Sequence, residues 1–142
     1  MQVTVGRYLI SDDPERLDLA VIQGFLARSY WADKRPLDKI ERSIKNSVCI
    51  GVYEEQKQVG FARLVTDDAT MYWLCDVFID EDYRGQGLGK ALVSAITESE
   101  RFGHLMGLLG TRDAHELYEQ YAFRRDGNRF MTRLPNTSRA ES

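Results

Sequence analysis

The chain has 142 residues, a length suited to one domain built on one buried core. Hydrophobic residues at 43% and charged residues at 29% are globular proportions and argue against disordered, fibrous and membrane classes. A net charge of −3 gives no general attraction to nucleic acid, so an anionic ligand must be held by a local device. Met1 to Ile10 has no charged segment followed by an apolar stretch, and no window reaches the roughly 18 apolar residues of a spanning helix. A cytoplasmic protein without membrane or nucleic-acid partners is expected. Cys49 and Cys75 lie in apolar runs with no Cys-x-x-Cys spacing, and read as small hydrophobes. His104 and His115 are too few for a zinc set, so no metal is expected.

In chain order, Val3 to Ile10 is rich in β-formers, and Ser11-Asp12-Asp13-Pro14 predicts a helix start by aspartate cap and first-turn proline. Leu17, Val21 and Phe25 carry an apolar helical face to about Ser29. Pro36 opens a shorter helix on Leu37, Ile40 and Ile44, with Tyr30-Trp31 in the connecting segment. Val48 to Tyr53 and Val59 to Val65 read as a hairpin. Thr70 to Ile79 is apolar on both alternating faces, which predicts a central strand covered on both sides, interrupted only by Asp76.

After a glycine-rich turn, Leu88, Leu92, Ala95, Ile96 and Phe102 predict a helix ending at Gly103, and Leu105 to Leu109 a short strand. Asp113 and Glu116 have capping-box spacing ahead of a short helix on Ala114, Leu117, Tyr118 and Tyr121. Phe130 to Leu134 is predicted to be the closing strand. Residues 1–134 then form a single domain of the mixed α/β class, in the order β-α-α-β-β-β-α-β-α-β, and residues 135–142 a flexible tail.

The most specific signal is Arg84-Gly85-Gln86-Gly87-Leu88-Gly89-Lys90, between a strand and a helix. Free backbone N–H groups, a helix N-terminus and alternate glycines suit a pyrophosphate, with Arg84 and Lys90 supplying charge. Ala91 follows Lys90 where a Walker A loop needs Ser or Thr, and Lys90 stands where a Rossmann fingerprint needs glycine. Nucleotide hydrolysis and dinucleotide redox chemistry are thereby disfavoured.

This loop resembles the Gln/Arg-x-x-Gly-x-Gly/Ala signature of the GCN5-related N-acetyltransferase (GNAT) superfamily. Leu74 to Tyr83 looks like that family's fourth strand, and Leu117 to Phe123 like its C-terminal Tyr-x-x-x-Gly-Phe element, with Ala122 replacing the glycine. A left-handed alanine there costs about 1 kcal/mol. The resemblance implies a twisted mixed sheet whose central strands splay, acetyl-CoA as co-substrate, and transfer of its acetyl group to a primary amine; a homodimer is compatible with it. A non-catalytic acyl-CoA-binding regulatory module is the alternative.

By resemblance, Arg84, Gly85, Gln86, Gly87, Leu88, Gly89 and Lys90 hold the pyrophosphate. Val77, Phe78 and Ile79 offer backbone groups to the pantetheine and thioester oxygen. Tyr118 corresponds to the general acid, and Tyr30 and Trp31 to the acceptor-pocket wall. Asp76 is the candidate base, since burial raises a carboxylate's pKa, with pairing to Arg63 as its structural alternative. Asp113 reads as a helix cap. The acceptor stays open among polyamines, amino acids, aminoglycosides and protein lysines.

Overall fold

The structure, a computed structural model, describes residues 1–136. Six strands lie in chain order in one sheet, β1 (Gln2–Val5), β2 (Tyr8–Ser11), β3 (Val48–Glu54), β4 (Lys57–Thr66), β5 (Met71–Ile79) and β6 (Met106–Leu109). Neighbours are antiparallel except β5 and β6, which run parallel. Helices α1 (Leu19–Ala27) and α2 (Leu37–Lys45) cover one face. Helices α3 (Leu88–Thr97) and α4 (His115–Glu119) cover the other. This is the mixed α/β class expected, with differences in four places.

The first strand is a hairpin, because Gly6 takes φ 58° and Val5 pairs with Tyr8 across a two-residue turn. Asp13 caps only a 3-10 turn at Pro14–Arg16, and α1 begins later, where the Asp18 carboxylate accepts from the Val21 N–H at 3.2 Å. Helix α3 stops at Thr97: Ser99 Oγ donates to the Ile96 carbonyl and accepts from the Phe102 N–H, drawing the backbone into a turn while Phe102 stays fully buried. The predicted strand Phe130 to Leu134 is not formed. Phe130, Met131 and Leu134 are 50%, 96% and 53% exposed, and bury too little apolar surface to fasten a strand to the sheet. The predicted tail falls largely on residues 137–142, outside the described residues.

The sheet divides the core in two. Ile10, Ile50, Val52, Leu64 and Leu74 pack with Leu88, Leu92, Val93 and Ile96 of α3, while Phe61 and Phe78 pack with Ile22, Phe25, Leu26 and Ile40 of α1 and α2. Phe25 and Phe78 stack at 5.0 Å between ring centroids. These contacts fix β5 as the strand between both layers. Its alternation breaks in the middle, because the register with β4 jumps from Arg63↔Cys75 to Phe61↔Phe78 and Asp76 adopts φ 55°. A β-bulge of this kind turns two successive side chains to one face and re-aims the rest of the strand.

Helix α4 ends on Ala122 at φ 69°, with the Phe123 N–H returning to the Tyr118 carbonyl at 3.3 Å. The left-handed alanine inferred from sequence is therefore present. Ala122→Gly relieves about 1–2 kcal/mol of steric cost and returns about 0.4–1 kcal/mol through the freer unfolded chain. A stabilisation of about 0.5–1 kcal/mol, or a melting temperature higher by roughly 2–4 °C, is expected by calorimetry. A lower melting temperature would show that the turn does not strain alanine.

Candidate active site

The loop after β5 is shaped by two left-handed glycines, Gly85 at φ 82° and Gly87 at φ 81°. A Cβ added to either meets no atom within 4 Å, so both face open space. Gly87 is the N-cap of α3 and offers no side-chain acceptor, leaving the first-turn N–H groups of Leu88, Gly89 and Lys90 without a side-chain cap. Arg84 and Lys90 line the same cleft with exposed side chains. The Arg84 Nε also donates to the Ile79 carbonyl at 2.8 Å, and its guanidinium lies 4.9 Å from the Phe78 ring centroid, fixing the loop on the strand end.

Two expected ligand side chains point elsewhere. Gln86 Oε1 accepts from the Tyr8 hydroxyl at 2.9 Å, tying the loop to β2, and Leu88 is buried under α3. Leu88 can serve a ligand only through its backbone, and the Gln86 amide oxygen is committed to Tyr8.

Strands β5 and β6 pair from Met71↔Met106 to Leu74↔Leu109, and no further. Among the described residues, the edge of β5 that faced β6 has no strand partner from Cys75 to Ile79. A cleft of about 880 Å³ follows this edge from the glycine loop to Tyr30 and Trp31. The expectation that β5 is covered on both faces thus fails where the cleft opens: Trp73 is 37% exposed, and Cys75 and Val77 are half-buried on its wall. Phe78 and Ile79 pack their side chains into the two cores, and Val77 packs partly against one of them while also lining the cleft.

The far wall carries Gly110, Thr111, Asp113, Leu117 and Tyr118. Tyr118 is 8% exposed. Burial first, then the nearby Tyr30 and Asp113, pushes its phenol up to about 12, so the proton is firmly held at neutral pH. The capping box is not formed. The Ala114 N–H donates instead to Thr111 Oγ1 at 3.0 Å, and among the described residues Asp113 makes no side-chain hydrogen bond.

Asp76 sits at the Tyr30 and Trp31 end of the cleft, 5% exposed. Its Oδ1 accepts from Trp31 Nε1 at 2.9 Å, and its Oδ2 from Arg35 Nη1 and Arg63 Nε, both at 2.8 Å. Burial alone would raise this carboxyl; the hydrogen bonds and charges of Arg63 and Arg35 outweigh it and hold the group below the usual carboxylate range. The raised pKa expected of a base is therefore corrected, and the pairing with Arg63 is present. Tyr30 packs edge-on against Trp31 at 5.0 Å, its hydroxyl accepts from the Arg112 N–H at 3.3 Å, and the Arg112 guanidinium lies 3.7 Å from its ring centroid. Arg35 and Arg112 escaped the sequence reading because both lie in segments without periodicity, where an arginine is ordinarily a surface residue.

The two cysteines are free thiols. Cys49 and Cys75 both pair with Arg63, one from each side, so they stand two strands apart, about 10 Å and beyond disulfide reach. Burial pushes their thiols up to about 12 and about 11.

The profile of the acetyltransferase (GNAT) domain matches residues 45–125, from the end of α2 through α4 and its closing turn. The chain belongs to the GCN5-related N-acetyltransferase family. A crystal structure of a GNAT-family protein from Xanthomonas campestris superposes with a TM-score of 0.86 at 34% identity, covering 93% of this chain and 96% of that one. A Gibberella zeae protein named as an acetyltransferase is 30% identical over 116 residues, 68% of this chain and 66% of its own length. A chloroplastic GCN5-related N-acetyltransferase of Arabidopsis thaliana is 27% identical over 78% of this chain and 51% of its own length. The chain thus spans between about half and two thirds of these curated relatives. At 19% identity, a Deinococcus radiodurans structure with TM-score 0.69 shares the fold.

In this GNAT-family chain the Asp76 network is the most buried charge cluster of the cleft, with side-chain exposures of 2% for Asp76, 14% for Arg63 and 20% for Arg35. Asp76→Asn leaves two arginines without their shared anion and is expected to cost about 3 kcal/mol at pH 7. The sign of the pH dependence comes from the lowered pKa. Asp76 contributes its full stability above the unfolded value of about 3.9 and loses it as pH falls through the lower folded value. Denaturant titrations of both proteins should show a gap that narrows below about pH 4. A gap that is constant or widens in acid contradicts the pairing.

Proposed function

We propose that this chain transfers an acetyl group from acetyl-CoA to a primary amine. One observation carries the reading: a single cleft is lined at one end by an uncapped helix start with two open glycines, and along its far wall by a buried, protonated tyrosine. Bound acetyl-CoA would supply an activated thioester. The loop suits its pyrophosphate, because no protein atom lies within 4 Å of a Cβ placed on Gly85 or Gly87, the first-turn N–H groups of α3 have no side-chain cap, and Arg84 and Lys90 line the same cleft. The unpartnered edge of Cys75 to Ile79 suits the amide-bearing arm, which can complete the missing ladder, and its N–H groups suit the acyl oxygen.

As the amine nitrogen bonds to the acyl carbon and the C–S bond breaks, Tyr118 is proposed to release its phenol proton to the departing sulfur, while the proton lost by the nitrogen passes to solvent in the open cleft, from which the phenol is restored. The amine enters past Tyr30 and Trp31. Asp76 is assigned a positioning role, since all three of its donors are protein groups and one of them orients Trp31. Asp113 offers an uncommitted carboxylate on the Tyr118 wall to attract a cationic amine.

Acetyl-CoA consumption against an amine panel, run beside calorimetric titration of acetyl-CoA, tests this reading. Tyr118→Phe keeps the ring against Phe123 and removes the proton. With the best amine, kcat is expected to fall by about 10² to 10⁴-fold while the Kd for acetyl-CoA changes little. Near-normal kcat in the folded variant removes the acid role, and failure of the wild type to bind acetyl-CoA removes acyl transfer itself.

A further inference from the structure

The acceptor half of the cleft holds more positive charge than its one buried carboxylate balances. Arg35 and Arg63 share Oδ2 of Asp76, so two permanent cations face one anion. Arg35 commits only Nη1; among the described residues its Nε and Nη2 have no acceptor, and the side chain lines the cleft at 20% exposure. Arg63 is more committed, with Nε on Asp76 and Nη1 on Ser47 Oγ at 3.1 Å, and is left with Nη2. A guanidinium with two free donors matches the two oxygens of a carboxylate. The same cleft is lined by the paired rings of Tyr30 and Trp31 and by Trp73, exposed by 45%, 40% and 37%, an aromatic lining. The carboxylate of Asp113 lies beside Tyr118 on the loop before α4, next in sequence to Arg112.

We infer that the acceptor is an amine that also carries a carboxylate, as an amino acid does, and that Arg35 with the free edge of Arg63 receives that carboxylate. The inference rests on reading this end of the cleft as the amine site. The ammonium is then left to the Tyr118 and Asp113 wall, where transfer is proposed, and the aromatic lining takes the side chain. A polyamine would instead set a second ammonium against two guanidinium groups, a like-charge arrangement that specific sites exclude.

The test is binding without turnover. The full chain, saturated with CoA, is titrated calorimetrically with L-phenylalanine and phenethylamine, L-tryptophan and tryptamine, and L-lysine and cadaverine. The carboxylate-bearing member of at least one pair should bind tenfold or more tighter. Arg35→Gln, checked by its melting curve, should erase that preference without weakening the decarboxylated partner, and Arg35→Lys should restore part of it. Equal or tighter binding of the decarboxylated members overturns the inference, as does an undiminished preference in folded Arg35→Gln. If Arg35→Gln does not fold, the wild-type comparison still decides. A protein that prefers the amino acids yet never acetylates them keeps this inference and loses acyl transfer; one that acetylates cadaverine and phenethylamine over their amino acids does the reverse.

Discussion

Strands β5 and β6 run together for four residues and then part, and the cleft depends on that separation. A strand edge in a protein interior normally carries an unacceptable cost, because each backbone N–H and C=O needs a partner. Here the edge from Cys75 to Ile79 is tolerable because it borders open space rather than apolar side chains. The separation is held by packing on both sides: Phe78 is locked on Phe25 under α1, while Ile79 and Leu88 anchor the opposite layer under α3. The strand cannot shift toward β6 without disrupting one core or the other.

The bulge at Asp76 joins this backbone arrangement to the electrostatics of the cleft. By giving the strand an extra residue opposite β4, it brings a carboxylate to the face that Arg63 already occupies and that the α1–α2 segment covers with Trp31 and Arg35. A buried carboxylate with three donors is strongly ionised and poorly suited to taking a proton. Its effect is to order two arginines and a tryptophan around the entrance from which an acceptor would approach. The proton-holding group is on the opposite wall, where burial raises the Tyr118 phenol. Opposite perturbations of an acid and a phenol across one cleft separate positioning from proton donation.

Most of this arrangement was legible in the sequence where local rules act alone. Alternate glycines at Gly85 and Gly87 gave the loop, and the chain does turn left-handed at both. The tyrosine element was likewise legible, including the strained Ala122. Tertiary effects hid the rest. The apolar run of β5 looked doubly covered because hydrophobicity does not distinguish a residue under a helix from one on an open cleft wall, as Trp73 demonstrates. Desolvation argued for a basic Asp76; the hydrogen bonds and charges of Arg63 and of Arg35, the second brought near only by the fold, reverse that shift. Asp113 had capping spacing, but Thr111 reaches the helix start instead and leaves the carboxylate free. Phe130 to Leu134 had strand composition without a neighbour to pair with.

Backbone amide shifts during an acetyl-CoA titration give the most direct test of the cleft as the cofactor site. A second hollow of about 810 Å³, lined by Leu17, Ile22, Ile44 and Cys49 between α1, α2 and β3, serves as the internal comparison. The largest changes are predicted at Val77 to Ile79 and Gly85 to Lys90, and they should vanish in a folded Gly87→Val protein, whose side chain fills the space above the loop. Changes confined to the second hollow, or unaltered by Gly87→Val, would contradict the account.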